Sequence, residues 1–394
     1  MKEQIVIVSA VRTAIGKYGG SLKSVSSGHL GAIVIEEAIG RAGISPEQVD
    51  EVIMGEVRQT TESSNMARVA ALRAGVPETS PAFTVNRLCA SGMQAIASGV
   101  QQILFDQAEI VVAGGAENMS RAPLYIRNAR FGDDQTILVD SNLEAGQQPQ
   151  EIYGSNLGMG MTAENVAERY NITREDQDKF AVESQRRAAE AIRKGKFKDE
   201  FVPVTVKERK NEFVFDEDEF PRPNTTFEVL SKLKPAFKKD GTVTAGNACG
   251  RNDGAAALVI MRESKAKALG LKPLARIVDW TAAGVSPEIM GIGPVPAVKK
   301  LLERTNRKLS DIDLIELNEA FASQALACIR ELGLDHEKVN VNGGAIALGH
   351  PLGATGARIV TTLLYEMMRS QKETGIATLC VGGGQGMAMM LELA

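Results

Sequence analysis

Cysteine and histidine are the side chains best suited to attack a carbonyl and move a proton, and here two of them stand in unusually glycine-rich surroundings. His350 lies in Gly349-His350-Pro351-Leu352-Gly353, and Cys380 opens Cys380-Val381-Gly382-Gly383-Gly384-Gln385-Gly386. Glycine lets backbone approach a ligand closely. Pro351 disfavours helix at His350 and fixes a turn there. A glycine turn after Cys380 can aim backbone N–H groups at a developing oxyanion. Cys89 lies upstream in Asn86-Arg87-Leu88-Cys89-Ala90-Ser91-Gly92-Met93. If a helix begins near Ala90, its N–H groups and dipole favour the thiolate and lower the thiol pKa. A small buried core cysteine is the other reading of that position.

The remaining candidates are few. Cys249, in Ala245-Gly246-Asn247-Ala248-Cys249-Gly250, can line a pocket, whereas Cys328 on an apolar helical stretch reads as core. His29 and His336 sit in helix-start and polar contexts and read as structural or solvated. Asn318-Glu319-Ala320-Phe321 closes a strand and starts a helix, so Asn318 either caps that helix or holds a water or an oxyanion with its amide. The glycine run lacks the Lys-Ser/Thr of a phosphate loop and an acidic ribose-binding partner. No Cys-x-x-Cys pair occurs among the four cysteines, so neither a metal site nor a structural disulfide is expected.

An internal repeat positions these residues. Val49–Glu56 resembles Ile312–Glu319 at an offset of 263, each after a Ser (Ser45, Ser310) placed like an N-cap. Val85-Asn86 recurs as Val341-Asn342, Ser91-Gly92 as Thr355-Gly356, and the strand before Gly114-Gly115 as the strand before Gly382-Gly383. The helix after Cys89 carries Met93, Ile96, Ala97, Val100, Ile103 and Leu104 on one face, and its counterpart carries Ile359, Val360, Leu363, Leu364 and Met367. The pattern predicts a duplicated α/β unit with buried sheets flanked by helices. Residues 120–248 differ. They contain Gln147-Gln148-Pro149-Gln150, the mixed-charge run Lys207–Glu212, an acidic Phe213–Phe220 stretch and a charged helix from about Arg174 to Lys194. They read as an inserted lid whose charges are solvated surface.

At 394 residues the chain exceeds one ordinary core, and 44% hydrophobic with 24% charged residues is typical of a globular protein. A net charge of −4 gives no reason to expect nucleic acid. No apolar run approaches the ~20 residues of a membrane helix. The start, Met1-Lys2-Glu3-Gln4 before Ile5-Val6-Ile7-Val8, reads as a buried strand rather than a signal peptide. A cytoplasmic protein with no membrane partner is expected.

Asn86–Met93, Ala116–Ser120, Met159–Asn165, Gly246–Gly254, Asn318–Phe321, Gly344–Gly356 and Cys380–Gly386 together resemble the thiolase family, with similarity running from Ile7–Thr13 to the C-terminus. The resemblance implies two similar five-stranded halves with an inserted loop domain. The boundaries expected are 1–120, completed by about 249–270, for the N-terminal half, 121–248 for the CoA-covering loop domain, and 271–394 for the C-terminal half. It implies Cys89 as acyl-accepting nucleophile, His350 as its activator and Cys380 as acid and base. His350 with a water on Asn318 would form one oxyanion hole, and the N–H groups of Cys89 and Gly382 the other. Arg222 would meet the nucleotide end of CoA, while Ala248, Cys249 and Gly250 line the pantetheine channel. Met159 and Met290 would lie near the acyl pocket, and Ala320 and Phe321 are counted with the CoA-binding residues. The activity implied is condensation of two acetyl-CoA to acetoacetyl-CoA plus CoA, and its reversal, with no metal or redox cofactor and as a homodimer or homotetramer. Alternatives are a degradative 3-ketoacyl-CoA thiolase of fatty-acid metabolism, a β-ketoacyl synthase, or a non-catalytic CoA-binding module. Two departures from the family pattern matter: Cys249 replaces a usual serine, and Gly158 replaces a histidine common in short-chain members.

Overall fold

The computed structural model describes residues 3–127, 129–132, 137–144, 146–208 and 211–394. Met1 and Lys2, and Arg209 and Lys210 of the mixed-charge run, lie outside the described residues. Nine main strands form one continuous sheet: β1 (Ile5–Thr13), β2 (Glu51–Gly55), β3 (Ala82–Val85), β4 (Ile110–Asn118), β5 (Asn252–Arg262), β6 (Ala275–Gly284), β7 (Leu314–Leu317), β8 (Thr374–Val381) and β9 (Gln385–Leu393). Their spatial order is β7-β8-β9-β6-β1-β5-β4-β2-β3. β1 is buried at every position, as a strand covered on both faces must be, which explains why its sequence is apolar without alternation.

The duplication is visible in the pairing. In the first half β2 runs parallel to β3 and β4, β4 is antiparallel to β5, and β5 is antiparallel to β1. In the second half β7 runs parallel to β8, β8 is antiparallel to β9, and β9 is antiparallel to β6. The halves join where Ile5–Ile7 of β1 pairs with Ala275–Ile277 of β6. Both joining strands carry a bulge just beyond the junction, at Ile7/Ser9 and Ile277/Asp279, a feature that bends a strand and increases its twist.

In the second half four strands pair in full ladders, and the fifth place is filled differently. The fifth place is held by a single bridge between Val339 and Ile315. Beyond it Asn340 turns into the left-handed region at φ 47°, and its side chain takes over. Its Oδ1 accepts from Leu317 N–H at 2.8 Å and its Nδ2 donates to the Leu317 carbonyl at 2.8 Å. A side-chain amide thus makes the two ladder bonds that a strand would have made.

Helices fill three layers. α1 (Ser27–Ala42) and α2 (Met66–Arg73) cover one face of the first sheet, packing Leu30, Val34, Ile35 and Met66 against Val6, Val52 and Val112. α3 (Ser91–Leu104) and α8 (Leu352–Ser370) lie between the two sheets and share one core, with Met93, Ile96 and Val100 among Ile359, Val360, Leu363 and Leu379. α6 (Pro294–Thr305) and α7 (Ala322–Leu332) cover the far side. α3 and α8 touch through glycine. A Cβ on Gly92 would lie 2.8 Å from Ala357 N, and one on Gly356 would lie 2.3 Å from Met93 N. Each glycine contacts the residue after its own repeat equivalent, so the pseudo-twofold axis passes between them.

The inserted segment carries α4 (Met159–Arg169) and α5 (Arg174–Arg193). Its charges are not all solvated. Asp178, Ser184, Gln185 and Arg187 of α5 are buried. Arg12 of β1, fully buried, pairs with Asp218 at 2.9 Å and Glu200 at 3.2 Å, which ties the insertion into the first sheet. Removing one partner of such a buried set leaves an uncompensated charge.

Candidate active site

Cys89 sits on the turn between β3 and α3. Leu88 before it adopts φ 46°, a conformation that costs a leucine energy and that the turn enforces. Ser91 closes the turn, its hydroxyl donating to the Leu88 carbonyl at 2.6 Å and accepting from Arg87 N–H at 2.9 Å. The result presents a half-buried sulfur at the head of α3. Burial raises the Cys89 thiol above its ordinary value, against the opposing pull of the Gly382 N–H, its own N–H and the Arg58 cation. The helix start therefore does not lower the thiol overall, because desolvation wins. The N–H groups of Gly382 and Cys89 nevertheless lie together at the sulfur.

His350 is 4% exposed and its ring is fixed from one side. Its Nδ1 lies 2.7 Å from Thr355 Oγ1, whose own proton goes to the Pro351 carbonyl at 2.8 Å. Thr355 can therefore only accept, so Nδ1 carries the ring proton and Nε2 is the basic nitrogen. Nε2 is buried with no protein partner. Asn252 Oδ1 accepts from His350 N–H at 2.9 Å and seats the loop. Burial, reinforced by the buried Arg358 cation, lowers His350 to about 3. The ring is thus neutral and able to accept a proton at any neutral pH. The kcat/KM of the catalysed reaction, measured from about pH 5.5 to 8, should show no inflection near an ordinary histidine pKa. The sign for stability follows: the unfolded state binds the proton first, so this contribution is complete above the unfolded value of 6.5 and is lost as pH falls toward about 3.

Asn318 does not cap α7. Both its Oδ1 and Nδ2 are buried without a protein partner, a state polar groups rarely keep unless a ligand or water uses them. Its N–H donates to the Thr378 carbonyl at 2.9 Å, on the strand that carries Cys380 two residues on. Residues 247–252 stitch the parts together. Ala322 N–H donates to the Asn247 carbonyl at 2.9 Å and Cys249 N–H to the Ala320 carbonyl at 3.0 Å, Ala248 bridges Phe321, and Arg251 bridges His350.

Cys380 is fully buried in a small apolar cluster with Ala163, Val243, Ala248, Met290, Ala320 and Phe321, and Met159 packs alongside. Burial raises its thiol strongly, and Cys89, Cys328 and Cys249 add to that. Cys249, half-buried, is pushed up to about 12 by burial and by Cys89. All four cysteines are free. Gly382 and Gly383 approach Gln147: a Cβ on Gly382 would meet Gln147 Cγ at 3.1 Å, Leu88 Cδ1 at 3.2 Å and Met159 Sδ at 3.4 Å. Arg222 lies apart from the thiols on an exposed loop, its guanidinium 5.2 Å from the Phe220 ring centre. It lines a cleft of about 430 Å³ with Lys17, Tyr18, Glu219, Phe220, Pro221 and Arg251. Phe220 also reaches the inner segment, since a Cβ on Gly250 would lie 2.5 Å from its ring.

Among the described residues, no group of three or more His, Cys, Asp or Glu could hold a metal ion, and no helix is long and apolar enough to cross a membrane. Sequence reasoning missed Thr355, Asn252 and Gln147. Thr355 had been visible only as a repeat position, and Gln147 only as a polar loop residue.

The family "Thiolase, N-terminal domain" matches residues 5–264, and "Thiolase, C-terminal domain" matches residues 271–393. An acetyl-CoA acetyltransferase of Escherichia coli (strain K12) is 56% identical, with 98% of each chain covered. The crystal structure of the Bacillus anthracis acetyl-CoA acetyltransferase superposes with a TM-score of 0.96 at 50% identity, over 100% of this chain and 99% of that one. Human mitochondrial 3-ketoacyl-CoA thiolase in complex with CoA gives a TM-score of 0.95 at 45% identity, over 100% and 98%. With the two family domains matching residues 5–264 and 271–393, and with relatives 50–56% identical over the full length, this chain belongs to the thiolase family.

Proposed function

We propose that the protein is an acetyl-CoA C-acetyltransferase, condensing two acetyl-CoA to acetoacetyl-CoA and free CoA and catalysing the reverse thiolysis. The observation that carries the reading is a neutral imidazole with its proton on Nδ1 and an unengaged Nε2, in a chain that also presents a sulfur facing two backbone N–H groups. Relatives named acetyl-CoA acetyltransferase at 50–56% identity support the same substrates.

In this mechanism the Cys89 proton passes to His350 Nε2 as the sulfur attacks the thioester carbonyl. The oxyanion forms against the Gly382 and Cys89 N–H groups. CoA leaves with the proton of Cys380, whose raised pKa keeps it protonated at rest and makes its thiolate a strong base. That thiolate takes the α-proton of the second acetyl-CoA, and His350 with an Asn318-held water stabilises the enolate oxygen. The enolate attacks the acyl group, and Cys89 recovers its proton from His350. Every group supplied by the chain is a side chain or a backbone N–H, and we propose that CoA thioesters are substrates with no further cofactor.

Arg222, Lys17 and Arg251 give the 430 Å³ cleft the positive charge that a nucleotide phosphate needs, and Phe220 links it to Gly250 and Cys249. We assign the cleft to the nucleotide end of CoA, residues 121–248 to its covering domain, and Ala248, Cys249 and Gly250 to the pantetheine path. Residues 1–120 with 249–270, and 271–394, are the two catalytic halves in this scheme. A cytoplasmic homodimer or homotetramer fits the hairpin Leu124–Arg127/Ile137–Asp140, which exposes Leu124, Ile126, Ile137 and Leu138.

One observation favours longer acyl chains as well, and with them a degradative 3-ketoacyl-CoA role in fatty-acid metabolism. A side chain starting at Gly158, beside Met159, would meet no atom within 4 Å. The test is thiolysis and condensation kinetics over a series of 3-ketoacyl chain lengths, with the acyl adduct located by peptide mass. Fastest thiolysis of acetoacetyl-CoA is expected; a clear preference for long chains would replace the short-chain assignment.

A further inference from the structure

We infer that Glu117 is a positioning residue for the reaction: one buried carboxylate ties the loop that supports the nucleophile to the loop that carries the base. Glu117 is near the end of β4 and fully buried. Its Oε2 accepts from Gly353 N–H at 2.8 Å and Val57 N–H at 3.0 Å, and its Oε1 accepts from Arg58 N–H at 3.0 Å. Gly353 belongs to the second half, in the first turn of α8 and three residues after His350. Val57 and Arg58 belong to the first half; the Arg58 cation favours the ionised form of Cys89, and the Glu117 carboxylate opposes it. A carboxylate accepting three buried N–H donors is a charge-assisted clamp, and here it spans the seam between the two copies.

The repeat shows why a carboxylate is needed there. Gly353 lies 264 residues after Cys89, the same spacing as Gly92 to Gly356, so the two N–H groups are equivalent heads of equivalent helices. In the first copy the helix head faces the reacting sulfur. In the second copy it faces the Glu117 carboxyl group, supplied by the chain itself. Glycine is required at 353, since a Cβ there would lie 2.9 Å from Glu117 Oε2 and 2.7 Å from Glu56 Cα. Glu56 is the other charged group packed against this point. Burial, with Glu117 beside it, pushes Glu56 up to about 8 against the Ser27 hydrogen bond. Burial raises Glu117 too, and the three N–H groups and Arg58 pull it back.

The inference rests on Cys89 and His350 as the reacting groups. Glu117→Gln keeps the shape but turns an NH2 toward the N–H donors; Glu117→Asp keeps the charge on a shorter arm. In the whole enzyme, E117Q should lower the kcat for acetoacetyl-CoA thiolysis about 100-fold, the scale of a small misplacement of reacting groups, with KM changed less than about threefold. Its iodoacetamide alkylation at Cys89 should shift to lower pH, because the Glu117 carboxylate raises the Cys89 thiol, and E117D should recover part of both. A folded E117Q with kcat within about threefold of the parent and an unshifted alkylation profile overturns the inference. Failure of both variants to melt cooperatively also overturns it, because the role is then in folding alone. An inactive parent enzyme, or one not acylated at Cys89, removes the proposed function instead, so the two failures are distinguishable.

Discussion

Serine at position 89 is expected to reduce both thiolysis and condensation by about 10⁴-fold or more, a loss of the size that removing a nucleophile produces. The acyl adduct at this position should disappear from peptide mass maps. The cause is chemical rather than steric. Serine matches the shape of cysteine, and the Gly382 and Cys89 N–H groups would still be there to receive an oxyanion. What changes is the proton. A neutral imidazole with a lowered pKa is a weak base, adequate for a thiol but poorly matched to a hydroxyl. The melting temperature should stay close to the parent's, because a half-buried sulfur on a turn contributes little packing. A C89S enzyme that retained substantial turnover would place the nucleophile elsewhere.

The second large effect concerns stability. Gly356→Ala should destabilise the protein by roughly 3 kcal/mol or more, read as a lower urea midpoint, because overpacking at a rigid contact forces backbone to move. The new Cβ would lie 2.3 Å from Met93 N and 2.7 Å from Met93 Cβ, and both atoms belong to a helix held between two sheets. Helix propensity works in the opposite direction, favouring alanine by about 1 kcal/mol, so the contact has to outweigh it. Gly40→Ala on α1 is the control. No atom lies within 4 Å of that Cβ, and its substitution should leave stability unchanged or slightly raised.

How much of this could be read from residues alone differs by kind of interaction. The repeat was legible because equivalent strands and helices retain similar residues at nearly constant offsets, and the pairing of β1–β5 and β6–β9 bears it out. His350 and Cys380 stood out as reactive types in turns rich in glycine, and Cys89 as a cysteine just ahead of an amphipathic helix. Asn318 was ambiguous, since a cap and a free amide have the same sequence; only its two unpartnered atoms decide between them. The direction of the Cys89 shift was misread, because a helix head is visible in sequence and the depth of burial is not. Thr355 was hidden for a different reason. Its orienting role requires that its hydroxyl already be committed to Pro351, a fact of three-dimensional geometry. Asn340 was hidden too, because nothing in Val339-Asn340-Val341 announces that a side chain will replace a strand.

That replacement leaves the sheet with two unlike ends. Along β7 the Ile315 and Leu317 carbonyls and the Leu317 N–H are already occupied by Asn340, so an incoming strand finds no free ladder there. At the other end β3 is half-exposed and keeps an outer edge with backbone groups to offer. A molecule with one adhesive edge and one sealed edge can join a second copy edge to edge, and then the pair has nothing left to extend. Edge-to-edge extension of the sheet is thus closed at the β7 end by a single asparagine.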